Sequence, residues 1–69
     1  MKSDNLKKGI IYNYQSSTEQ VKVMYTGYCF DPSFGWGYGF RAYNEESGKY
    51  DGYFNTLSKN TVENMVSPK

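Results

Sequence analysis

The side chains of this chain that ordinarily carry acid–base, nucleophilic or metal chemistry are one thiol, Cys29, and the carboxylates Asp4, Glu19, Asp31, Glu45, Glu46, Asp51 and Glu63; histidine is absent. Without an imidazole the chain lacks the side chain most often used as a general base near neutral pH and as a transition-metal ligand. One cysteine without histidine cannot assemble a structural zinc site within one chain. Two carboxylates can act as an acid and base pair where they converge, but these lie mostly in polar stretches that read as turns, where solvent keeps them apart. The serines and threonines have no activating base. The glycines Gly35, Gly37 and Gly39 lack the strand-before, helix-after setting and the Lys-Ser/Thr ending of a phosphate loop. The expectation is a protein that is not an enzyme and uses no cofactor and no metal. Cys29 has no second cysteine to pair with, which leaves a buried apolar thiol in a reducing compartment, or a link between two chains.

What the chain does have is rings. Eight tyrosines, four phenylalanines and one tryptophan stand among 69 residues, whereas leucine occurs only at Leu6 and Leu57. Aromatic side chains bury more area per residue than aliphatic ones, so a few of them fill a core in a short chain, and Tyr and Trp equally suit a wet binding face. The segment Gly37-Tyr38-Gly39-Phe40-Arg41-Ala42-Tyr43 resembles the aromatic ribonucleoprotein motif of single-strand RNA-binding sheets. It is also similar to the Lys-Gly-Phe-Gly-Phe segment of cold-shock domains, with Asp51-Gly52-Tyr53-Phe54-Asn55 resembling their second aromatic strand. That resemblance implies a platform of Trp36, Tyr38, Phe40 and Tyr53 on which unpaired bases stack, with Arg41 near the backbone. The departures are that Trp36 stands where the motif has Lys or Arg, and Arg41 where it has an apolar residue. Tyr28 and Tyr43 complete the candidate binding set, for which the plain alternative is that the rings are core.

The elements that must position these residues follow from periodicity. Ile10, Tyr12 and Tyr14 alternate with Ile11, Asn13 and Gln15, and Val21, Val23 and Tyr25 alternate with Lys22, Met24 and Thr26, which is the period of half-buried strands separated by a polar turn at 16–20. Gly27 interrupts the second run and puts Tyr28 and Phe30 on the opposite phase, so a bulge at the glycine is expected to return them to the buried side. Asp31-Pro32-Ser33-Phe34-Gly35 reads as a turn, with Phe34 a lid over one end of the core. Trp36, Tyr38, Phe40 and Ala42 share one face of the next strand. A hairpin turn at Glu45–Gly48 leads into a strand over 49–55. Ser58 caps a helical turn over 57–61 stapled by Leu57 and Val62, and a short closing strand follows around Val62–Val66.

The expected fold is therefore all-β: one small domain over 1–69, with 1–8 flexible, made of a five-stranded antiparallel, strongly bent sheet or small barrel and one short helical turn. By overall pattern it resembles SH3-like barrels of the Tudor and KOW kind, a likeness that implies architecture and leaves the ligand open. A formal charge of +1 is too small to steer the chain toward a polyanion. No apolar run approaches the length of a membrane helix and no signal peptide is evident, so a cytoplasmic location without membrane association is expected. The functional expectation is a small binding module: a protein-interaction, regulatory or inhibitor domain, of a style that suits a phage or mobile-element product. A single-stranded nucleic acid is the alternative ligand, and a homodimer is compatible with either.

Overall fold

The computed structural model describes residues 2–69. After a 3-10 turn at Ser3–Asn5, the elements are β1 (Ile11–Gln15), β2 (Gln20–Asp31), β3 (Gly35–Asn44), β4 (Lys49–Gly52), α1 (Lys59–Met65) and β5 (Val66–Pro68). The strands form one antiparallel sheet in the order β4-β3-β2-β1-β5. The five-stranded antiparallel sheet is thus as expected, and it is open: β4 and β5 stay at opposite edges. Its core face is covered by residues outside the sheet, Leu57 and Val62 from the helical segment and Leu6 from the N-terminal one. No helix among the described residues is long and apolar enough to cross a membrane.

The core consists of Tyr12, Val23, Tyr25, Phe40, Leu57, Val62 and Val66, with Leu6, Tyr14, Val21, Tyr38 and Phe54 packed around it. Every residue that β1, β2 and β3 contribute to this set comes from the alternating positions that the periodicity singles out. Val23 and Val62 are fully buried, and removing two methyl groups from either would cost about 2 kcal/mol, a large share of the stability of so short a chain. The buried Tyr12 ring keeps its hydroxyl satisfied by accepting from the Lys7 N–H at 2.9 Å. The buried Ser3 directs its N–H and Oγ toward Glu63 on α1, at 3.4 and 3.5 Å. These contacts lay the segment before β1 across the core.

Two elements depart from expectation. The helix does not stop near residue 61 but runs on to Met65, and the closing strand starts only at Val66. Ser58 accepts from the Thr61 N–H at 3.3 Å, as a cap should, and Leu57 and Val62 are both buried in the staple positions. The spacing of Val62 and Val66 then buries a second residue one turn on, and this docking sustains a helix too short to stand alone. The strand expected over 49–55 ends at Gly52. Its register against β3 is irregular between Ala42 and Asn44; beyond it, Phe54 turns in against the Tyr14 ring at 5.0 Å, and Leu57 returns to β3 by exchanging backbone hydrogen bonds with Tyr38 at 2.8 Å.

Candidate binding face on the projecting hairpin

β2 and β3 are the longest strands, and β1 accompanies them for only half their length. The last bonds between the β1 side and β2 are Gly9 N–H to Tyr25 O at 2.8 Å and Tyr25 N–H to Ile10 O at 3.1 Å. Past Tyr25 the hairpin continues as a two-stranded ribbon to the turn at its tip, where Phe34 N–H bonds to Asp31 O at 3.3 Å.

The junction is a bulge. Tyr25 pairs with Phe40 and Gly27 with Gly39, so Thr26 is the extra residue on β2. Gly27 takes φ +129 there, a backbone state that other residues adopt only with strain. Because side chains alternate with period two, one extra residue flips the parity of everything after it. Tyr28 and Phe30 therefore stand opposite Tyr38 and Trp36, on the face that also carries Tyr25 and Phe40. The expected return to the core face occurs; the expected burial does not. Tyr28, Phe30 and Trp36 are 57%, 59% and 62% exposed, because the ribbon has run past everything that covers the core.

The result is a continuous series of rings from interior to solvent. Phe40 and Tyr25 lie 5.4 Å apart in the core, and Tyr25 and Tyr38 6.1 Å apart at its margin. Tyr38 meets Tyr28 edge-on at 5.0 Å, Tyr28 stacks on Trp36 at 5.5 Å with 14° between planes, and Phe30 meets Trp36 edge-on at 5.8 Å. These are the offset and T-shaped geometries that ring quadrupoles favour, so the exposed rings hold one another in place. Burial pushes the Tyr25 phenol above its usual pKa, with the neighbouring Tyr38 adding to the shift.

On the outer face of the same ribbon the side chains are small for a steric reason. A Cβ at Gly37 would lie 2.7 Å from the Leu57 carbonyl oxygen and 2.8 Å from the Phe34 ring, and one at Gly39 would lie 2.9 Å from Thr26 Oγ1. The alternating glycines thus admit a backbone on one side and a ring on the other. Phe34 is accordingly no lid over the core: the turn carries it to the outer face, where it packs over Gly37 and stays 47% exposed.

The electrostatics of the ribbon are spare. Asp31 is the only charged residue between Lys22 and Arg41. Its carboxylate accepts from the Oγ and N–H of Ser33, and these bonds hold its pKa below the usual value. Lys8 reaches the ribbon's base, where its Cε would be 3.5 Å from a Cβ on Gly27.

Of the residues singled out in the sequence, Tyr28 and Trp36 come together and Tyr38 joins them to the core. Phe40 is 3% exposed and belongs to the core itself. Arg41 lies on the outer face, where it shares a shallow depression with Cys29, Thr56 and Tyr53. Tyr53 projects after β4 with its hydroxyl donating to Asn55 Oδ1 at 3.1 Å, and Tyr43 packs edge-on against Tyr50 at 5.1 Å. The single platform implied by the ribonucleoprotein likeness is therefore divided between two faces and a core. Phe30 belongs to the exposed cluster although it was not among the candidates; its signal was its shared phase with Tyr28 after Gly27. Among the described residues, no group of three or more His, Cys, Asp or Glu side chains is placed to hold a metal ion.

No family model matches the chain, and no curated protein or solved structure matches it.

Proposed function

We propose that the protein is a non-enzymatic binding module whose projecting hairpin engages a protein partner through Tyr28, Phe30 and Trp36. The observation that carries this reading is a contiguous, mutually packed set of three rings, each more than half exposed, in a stretch without a basic residue. Large exposed aromatic residues packed side by side are the usual anchors of protein interfaces, where a few of them supply most of the binding free energy. A small regulator or inhibitor that works by occupying a partner's surface suits such a module. Phosphate recognition depends on Lys and Arg beside the stacking rings, whereas Arg41 projects from the opposite face. Tyr28 and Trp36 also spend one ring face each on the other.

Trp36 is the sole tryptophan, which makes the test clean. Partner capture with the wild-type chain and with Trp36→Ala should show a protein retained by the first and lost by the second, with affinity falling roughly 30-fold or more for an anchor worth about 2 kcal/mol. Quenching of Trp36 by oligonucleotides at low salt, fading as salt rises, would instead establish nucleic-acid binding and overturn the reading.

A further inference from the structure

The ribbon has a free edge as well as an exposed face. Tyr38 spends its N–H and C=O on Leu57, away from β2, so Tyr28 and Tyr38 form a non-hydrogen-bonded pair, and by alternation so do Phe30 and Trp36. The backbone N–H and C=O groups of Tyr28 and Phe30 therefore point out of the ribbon, on the side that β1 has already left. Among the described residues nothing pairs with them. Exposed edge groups of this kind are templates for another strand.

We infer that the occupant of this edge is a second copy of the chain, paired antiparallel through β2 about a two-fold axis at Cys29. In this register Tyr28 of each copy faces Phe30 of the other, and each pair exchanges N–H and C=O bonds, so all the free edge groups are used. The axis falls on a small, uncharged residue, Cys29, which brings no like charges together. The same register sets Asp31 of one copy opposite Gly27 of the other, where the Lys8 side chain lies. The only charge on the ribbon thus meets a lysine, twice, across the symmetric interface. This complementarity favours a second copy over an arbitrary extended peptide, which would need an acidic residue at that position.

The pairing places the rings of both copies on one side of a continuous four-stranded surface, so the second copy completes the face that the proposed function uses; in that respect the inference rests on the reading of that face as protein-binding. Strand pairing over Gly27–Asp31 alone buries less than the ~1,200 Å² of a standard interface, so the dimer is weak and concentration-dependent.

Sedimentation equilibrium from about 10 µM to about 1 mM covers the range of such an association. The mass of the wild-type chain is expected to rise from 8.0 kDa toward twice that value. Phe30→Lys should abolish the rise. Lys8→Glu, at an exposed position, should shift it at least several-fold higher in concentration by facing Asp31 of the other copy, and adding Asp31→Asn, which can keep the turn bonds to Ser33, should recover part of the loss. Far-ultraviolet spectra matching the wild type confirm that each variant is folded. A constant 8.0 kDa for the wild type at every concentration overturns the dimer, and a rise that both variants leave unchanged overturns this edge as its seat. A chain that stays monomeric yet loses its protein partner with Trp36→Ala refutes the dimer alone. Salt-sensitive quenching of Trp36 by oligonucleotides would refute the reading of the face beneath it.

Discussion

The two halves of the β2–β3 hairpin are built from the same kinds of residue in the same alternation and meet opposite fates. In the half nearer β1, Tyr25 and Phe40 are buried; in the half beyond Gly27, Tyr28, Phe30 and Trp36 on the same face are exposed. The difference lies in their neighbours. Leu57 and Val62 cover the first half, together with Leu6 from the segment before β1, and among the described residues nothing covers the second. Ring content and strand phase therefore decide which face a residue joins, while the length of the adjoining elements decides whether that face is core or surface.

Substitutions can break this comparison. The largest effect is expected at Phe40→Ala, which opens a cavity in the covered half at a cost of about 3–5 kcal/mol. That approaches the whole stability of a chain this size, so urea titration should find it largely unfolded. Gly27→Ala strains the bulge and should cost about 1–3 kcal/mol. Because the bulge sets the phase of the far half, the same variant should also disturb Tyr28–Trp36 stacking, read as a change in near-ultraviolet circular dichroism. Trp36→Ala removes the largest ring of the uncovered half and should change stability by only about 0.5 kcal/mol, even though it is the variant expected to abolish partner binding.

A pH titration sharpens the contrast without substitution. Tyr25 has a pKa raised by burial and by nearby Tyr38, so the neutral phenol is the form the fold favours. Its contribution to stability is complete below the unfolded tyrosine pKa and is lost as pH rises through the higher folded value. Spectrophotometric titration should find the Tyr25 phenol ionising above the ordinary tyrosine range, with alkaline unfolding accompanying that step.

Much of this arrangement is legible in the residues themselves. The alternation of Tyr12 with Tyr14, Val21 with Val23 and Tyr25, and Trp36 with Tyr38 and Phe40 names the strands and their inner faces. Gly27 marks the bulge, and Ser58 with Leu57 and Val62 marks the start of α1. What is not legible depends on tertiary neighbours. The exposure of Tyr28 and Trp36 follows from where β1 stops beside β2, and no residue in the hairpin encodes that. The helix reaches Met65 because Val62 and Val66 both find cover. The separation of Arg41 from Trp36 was implicit in their opposite phase, yet the likeness of Gly37–Tyr43 to a stacking motif drew them together. The direction of Phe34 is not legible either, because it depends on the space that Gly37 leaves beside the turn.

The covered half of the hairpin ends at Gly27, and the rings beyond it face water. Acrylamide quenching of Trp36 at low micromolar protein, below the range of self-association, tests it directly. Emission typical of a hydrated indole with ready quenching is the result predicted for a residue 62% exposed. A blue-shifted emission that acrylamide scarcely reaches would contradict the account, because Trp36 would then lie inside a core extending to the hairpin tip.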